Sequence, residues 1–420
     1  MLRILFCSLL SLFSVNTHAY ETIDLKLDSG LSMSLTQYQG NGRSLLLWLP
    51  SERGFGVNYI PTAMNLSALD YDVWAVNLHE SYFVPASRES LDEVEIDDLT
   101  GLLEHARKMG FRNVYIISSG RSMQLALKMA YQWQQRHPDQ NLLRGLISFS
   151  PHLISGRTEM GEEASYVEIA SYSNLPVYLL QPQFSTKFAR SQEIARQLQQ
   201  GGSQVYVHYL KGVQGGFHMR PNEDLSDRDL SVREQLPYII SSAIQLLGKT
   251  SVGTLDKGYQ DSTEGNETLK LTIELPGLHP FTGEKVPPLL SLADLKGRPF
   301  NLQEMKGRVV LVNFWATWCG PCVEEIPSLA RLVERLKGHS FEVVAVNIGE
   351  SAEEIQKFIR SMPVNFKILL DKDGSAVRDW NVYAYPSNYL IDKTGLIQYS
   401  YRGALEWDAA PIIKTIEELL

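Results

Sequence analysis

The sequence predicts an α/β protein of two consecutive domains, and three observations carry that expectation. Short apolar runs alternate with amphipathic stretches from 44 to 247, and a second such alternation fills 287–420. Between them, residues 248 to about 267 are polar, rich in Gly, Ser, Thr and Asp, and follow neither hydrophobic period. A length of 420 residues suits two or three domains at roughly 100–200 residues each. The resulting partition is a leader at 1–19, a front domain at 20–248, a linker at 249–278 and a second domain at 279–420.

Composition narrows the function classes. Hydrophobic residues at 44% and charged residues at 21% match soluble globular chains and exclude a disordered, collagen-like or multi-span membrane protein. With 39 basic against 48 acidic side chains and no Lys/Arg block, nothing points to a nucleic-acid partner.

The leader places Arg3 before an apolar stretch at 4–15, followed by Thr17 and Ala19 at small-residue cleavage positions. That stretch, interrupted by Ser8, Ser11 and Ser14, is shorter than the roughly 20 residues that span a bilayer. Export to the periplasm or beyond with cleavage after Ala19 is the expectation, and an uncleaved anchor is the alternative. Cleavage also removes Cys7, leaving Cys319 and Cys322 as the whole cysteine complement. One C-x-x-C cannot build a disulfide framework, so redox or metal chemistry is its purpose.

In the front domain, strands are expected at 44–49, 71–78, 114–118, 145–150, 176–181 and 204–210. Helices are expected at 91–109, 122–136, 187–200 and 232–247, which together make a mostly parallel sheet covered on both faces. One further strand is expected at 269–275. The second domain shows strand runs at 309–315, 341–347, 366–370, 387–391 and 397–401, with helices at 323–336, 352–359 and 409–420. No internal repeat is present.

The segment VVLVNFWATWCGPCVEEIP ends a strand at Trp315 and starts a helix at Cys319, with Ile326, Leu329, Ala330, Val333 and Leu336 as its inner stripe. Cys319 and Cys322, three apart, come within bridging range on a helix. The helix N-terminus favours a thiolate on Cys319, the attacking sulfur, and Cys322 resolves the mixed disulfide. A structural zinc site needs four N/S ligands, and no cysteine–histidine cluster completes one, so neither metal nor a cofactor beyond the dithiol is expected.

From 287 to 420 the chain resembles the TlpA/ResA-type thioredoxin-fold thiol–disulfide oxidoreductases. The resemblance rests on PPLLSLADLKGRPFNLQEMKGRVVLVNFWATWCGPC, on VEEIP and on YPSNYLIDKTG, matched in that order. It implies that Pro386 is a cis-proline facing the active site, that Tyr385 offers backbone to a substrate strand, and that Glu325 exchanges protons with Cys322. Trp318 is expected on the rim of the substrate surface, and Pro327 to kink the helix. Ser387 and Tyr389 are mild departures from the family's Thr and Phe. The resemblance also implies a disulfide-containing protein substrate and a membrane-bound electron donor.

The front domain resembles the α/β-hydrolases. VYIISSGRSMQLALKMA places Ser122 at the nucleophile of a G-x-S-x-G elbow, and GGFHMR places His218 where that family has its base. Gln124 replaces the second glycine, and QPQFSTKF after the 176–181 strand lacks the acid. Glu159, Glu162 or Glu163 are the substitutes on hand. A Ser–His pair without an orienting carboxylate loses much of its power, so a non-catalytic front domain is favoured over an esterase.

Overall fold

A computed structural model describes residues 20–139, 141–156, 160–256, 258–259 and 277–420. Eight strands form the front sheet: β1 (Tyr20–Lys26), β2 (Ser32–Tyr38), β3 (Ser44–Trp48), β4 (Asp72–Val76), β5 (Asn113–Ser119), β6 (Leu143–Phe149), β7 (Val177–Phe184) and β8 (Val205–Gln214). Their order is β1-β2-β4-β3-β5-β6-β7-β8, with β2 antiparallel to both neighbours and the remaining pairs parallel. Successive side chains of a strand point to opposite faces. Leu45, Leu47 and Leu49 therefore join one core, and Leu46 and Trp48 join the other. Helices α1 (Ile60–Ala68) and α6 (Asp227–Leu247) cover the second face. The first is covered by α2 (Leu78–Ser81), α3 (Ile96–Lys108), α4 (Ser122–Arg136) and α5 (Ser191–Gln200).

Four differences from the sequence-based expectations are physical. The β1–β2 hairpin was not anticipated, because β2 buries Ser34 and Thr36 and so lacks an apolar signature. Helix α1 likewise turns Thr62, Ala63 and Ser67 inward beside Leu66. The helix expected at 91–109 begins at Ile96, after a separate 3₁₀ turn at Ser90–Glu93. The start of the expected linker is strapped to the front domain: the Gly253 N–H donates to the Asn174 carbonyl at 2.9 Å, and the Tyr259 N–H to the Tyr131 hydroxyl at 3.1 Å. The leader and the strand expected at 269–275 lie outside the described residues.

The second domain adds β9 (His279–Pro280), a hairpin of β10 (Ser291–Ala293) and β11 (Pro299–Asn301), and the strands β12 (Val309–Trp315), β13 (Phe341–Ile348), β14 (Lys367–Asp371), β15 (Ser387–Ile391) and β16 (Ile397–Arg402). The main sheet runs β14-β13-β12-β15-β16-β9, parallel among β12, β13 and β14 and antiparallel beyond. Helix α7 (Gly320–Arg335) follows β12, α8 (Ala352–Ser361) follows β13, and α9 (Ser375–Asp379) and α10 (Ala410–Glu417) complete the layers. Val309 and Leu311 of β12 face α7 and α10, while Val310 and Val312 face α9. This is the thioredoxin-like arrangement expected. Among the described residues no helix is long and apolar enough to cross a membrane.

Candidate active site

Strand β12 is wholly buried, and its C-terminal end delivers the turn Ala316-Thr317-Trp318 to the start of α7. Cys319 is the N-cap of that helix, its sulfur accepting from the Cys322 N–H at 3.3 Å. The two sulfurs are bonded, with S–S 2.08 Å and Cα–Cα 5.2 Å. Cys319 keeps 8% exposure and Cys322 none, so an incoming sulfur meets Cys319 first. Glu350, which sequence reasoning missed, holds the turn. Its buried carboxylate accepts from the Thr317 N–H at 2.8 Å, from the Thr317 hydroxyl and from Asn347 Nδ2 at 2.7 Å. Burial pushes its pKa up against those hydrogen bonds. The available signal was a carboxylate directly after the buried strand β13.

Glu325 lies one helical turn beyond Cys322 and is 2% exposed. Its carboxylate accepts from Asn313 Nδ2 at 2.6 Å, Trp407 Nε1 at 3.0 Å and the Leu405 N–H at 3.3 Å. Desolvation outweighs these donors and raises its pKa to about 7. The Tyr385–Pro386 bond is cis. Tyr385 packs edge-on against Trp318, ring centroids 5.8 Å apart, and its buried hydroxyl has no partner among the described residues. Helix α7 continues through Pro327 to Arg335.

Trp318 does not form an open rim. Phe184, at the end of β7, stacks on it with centroids 6.4 Å apart and planes 18° apart. Around this contact Gln183 Nε2 donates to the Gly349 carbonyl at 2.7 Å, and the Arg190 guanidinium lies 4.0 Å over the Tyr383 ring. The Tyr383 hydroxyl donates to the Glu162 carbonyl at 2.8 Å. Met160 and Ala189 of the front domain share a buried cluster with Phe281 and Phe314. The domains thus enclose a cleft of about 490 Å³, with Cys319, Trp318 and Tyr385 on one wall and Glu52, Ser119, Ser150, His152, Lys187 and His218 among the residues opposite.

The front domain does not bring Ser122 and His218 together as an elbow serine and its base. Ser122 is fully buried at the start of α4, donating to the Ser119 carbonyl at 3.0 Å and accepting from the Ser119 N–H at 2.9 Å. His218 Nε2 instead lies 3.0 Å from Ser119 Oγ, and its buried Nδ1 has no partner among the described residues. Burial, aided by the Arg233 charge, lowers the His218 pKa to about 3 and keeps the ring neutral. The sharp left-handed turn, φ +60°, falls on Gly120. A Cβ there would meet Glu52 Oε2 at 2.6 Å, and that oxygen accepts from the Arg121 N–H at 3.1 Å. Glu162 and Glu163 are exposed and do not orient the imidazole, and Glu159 lies outside the described residues. Gln124 donates to the His152 carbonyl at 2.8 Å.

Comparison with known proteins concerns the second domain. Residues 282–400 match the AhpC/TSA family. The chain is 37% identical over 110 residues to the thiol-disulfide oxidoreductase ResA of Bacillus subtilis (strain 168), covering 26% of this chain and 62% of that protein, so it spans less than two thirds of ResA. It is 41% identical over 122 residues to the thioredoxin-like protein YneN of the same organism, covering 28% of this chain and 70% of YneN. Among solved structures, a putative thiol:disulfide interchange protein DsbE from Chlorobium tepidum is 28% identical, covering 34% of this chain and 96% of that one, at a TM-score of 0.29. Through its C-terminal third the chain belongs to the AhpC/TSA family of thioredoxin-fold proteins, with ResA and YneN as relatives.

Proposed function

We propose that the chain is an exported thiol–disulfide oxidoreductase that reduces disulfides, supplied with electrons by a membrane-bound dithiol donor. The observation that carries this reading is the Cys319–Cys322 pair at the N-terminus of α7, with cis-Pro386 in the adjoining loop and a buried carboxylate one turn further on. In the reduced state the Cys319 thiolate, stabilised by the helix N-terminus, attacks one substrate sulfur. The substrate S–S bond breaks, its first thiolate leaves and takes up a proton, and a mixed disulfide forms. Cys322 then gives its proton toward Glu325 and attacks Cys319, releasing the second thiol and closing the protein disulfide. Two electrons pass to the substrate, and the donor dithiol restores the pair. Gly320-Pro321 between the cysteines is the pair of thioredoxin, whose potential of about −270 mV favours reduction.

The front domain is an α/β-hydrolase-like unit without acyl-transfer chemistry in this reading. Supporting it are the strand order with β2 antiparallel, the β5–Gly120–α4 turn, and the absence of a side chain at the apex of that turn. A redox titration of the full chain, followed by thiol alkylation, tests the proposal. A two-electron transition that disappears in Cys319→Ala supports it, and no reversible transition sinks it. N-terminal sequencing of the mature protein tests cleavage after Ala19.

A further inference from the structure

The cleft between the domains has a composition that the redox chemistry alone does not require. Five of its buried polar atoms have no hydrogen-bond partner among the described residues: Ser150 Oγ, His152 Nε2, His218 Nδ1, Trp318 Nε1 and Tyr385 Oη. Buried polar groups are ordinarily satisfied, so five orphans set just behind the walls of one cavity are a departure from the rule, each closed to solvent in this conformation. Lys187 on the same wall is partly buried, and its ammonium has no hydrogen bond or ion pair among the described residues. Burial pulls it down to about 8, with Glu52 opposing that shift.

Charge points the same way. The cleft and the neighbouring cavity are lined by Arg53, Arg88, Arg121, Lys187 and Arg220, against Glu52 on the wall and Asp92, which pairs with Arg121 at 3.8 Å from behind it. That concentration of cations sits in a chain whose net charge is −9. Size and access decide the class of guest. A volume of about 490 Å³ lies within the range of small-molecule sites, about 300–1,000 Å³. The Phe184 ring, stacked on Trp318, narrows the approach of a folded protein to the sulfur.

We infer that this cleft is the substrate site of the redox centre, and that it takes a small disulfide bearing carboxylates rather than the disulfide-containing protein that the resemblance implies. The inference rests on the oxidoreductase reading and narrows its substrate. The carboxylates face Lys187 and the neighbouring arginines. The sulfur–sulfur bond lies toward Cys319. Reduced Cys319 displaces one carboxylate-bearing thiolate, Cys322 displaces the other, and both leave as thiols while the protein is oxidised by two electrons.

The test uses the full-length reduced chain and three probes: 3,3′-dithiodipropionate, which is anionic, 2-hydroxyethyl disulfide, which is neutral, and cystamine, which is cationic. Loss of protein thiols is followed by maleimide mass shift, and each rate is divided by the rate of the same disulfide with free 2-mercaptoethanol. The anionic probe should exceed the neutral one by about tenfold, the worth of one charge-assisted hydrogen bond, and cystamine should be slowest. Lys187→Gln should bring the anionic-to-neutral ratio to within about twofold of one. Arg53→Gln, a change at an exposed side chain, should lower it in the same direction. Lys337→Gln, exposed at the end of α7 and outside the cleft, should keep the wild-type ratio. A wild-type ratio near one, or one that neither Lys187→Gln nor Arg53→Gln lowers, overturns the substrate assignment and leaves the redox reading standing. Failure of all three probes to oxidise the pair overturns the redox reading.

Discussion

The indole N–H of Trp407 donates to the carboxylate of Glu325 at 3.0 Å, which ties the loop before α10 to the helix that carries both cysteines. With the Asn313 amide and the Leu405 N–H, this gives a buried carboxyl three donors and, among the described residues, no paired cation. Desolvation wins over the donors, and the group titrates at about 7 instead of 4.5.

Glu325→Gln should slow disulfide exchange and flatten its pH dependence near pH 7, because an amide cannot relay a proton beside Cys322. Turnover across pH 5.5–8.5 checks this, and an unchanged profile returns Glu325 to a structural role.

The same carboxyl sets a pH dependence of stability. Its folded pKa lies above its unfolded value, so between about 4.5 and 7 the native state holds a proton that the unfolded chain has released. Stability therefore falls as pH rises through that window and levels off above it, by about 3 kcal/mol in all. Denaturant midpoints at pH 5 and pH 8 should differ less in Glu325→Gln than in wild type.

Alkylation of the reduced chain should occur first at Cys319, with a midpoint below the free-thiol value of about 8.5, and Cys322→Ala should accumulate the mixed disulfide. Faster modification of Cys322, read by peptide mapping, would reverse the roles.

Phe184→Ala should raise the rate at which a bulky maleimide modifies reduced Cys319 by several-fold, since Phe184 is the ring that covers Trp318. The comparison is with iodoacetamide, small enough to enter the cleft in either protein. Equal ratios for both reagents would show that the stack does not restrict access.

Gly120→Ala should destabilise the front domain by about 1–2 kcal/mol, because an alanine at φ +60° is strained. The added Cβ also meets Glu52, so Glu52→Ala should recover part of the loss in the double variant. Ser122→Ala should leave hydrolysis of activated esters by the full chain at its wild-type level. A Ser122-dependent rate would restore the esterase reading.

What the sequence made legible was local. The C-x-x-C with its flanking strand and helix, the YPSN loop and the buried runs of β12, β13 and β15 each lie within a few residues. Their hydrophobic periods and turn chemistry are set there. Ser122 was misplaced for a geometric reason: the motif marks a serine, but the backbone reverses two residues earlier, at Gly120, where left-handed φ costs least. Strand β2 and helix α1 escaped because their inner faces carry Ser34, Thr36, Thr62 and Ser67, whose burial depends on distant partners such as Ser81 and Glu80 for Ser34. The contact of Phe184 with Trp318 joins two domains across a linker, and no local period encodes it.

Phe184 is also the last residue of β7, a strand paired on both sides in the front sheet. The cover over the sulfur is thus an extension of the strand next to the sheet's edge in the neighbouring domain, and it stays in place only while that sheet holds together. The reactivity of Cys319 toward large reagents becomes a chemical gauge of the front domain's integrity. Any change that loosens the sheet while the thioredoxin-like unit stays folded should unmask the thiol, turning a selective centre into an indiscriminate one.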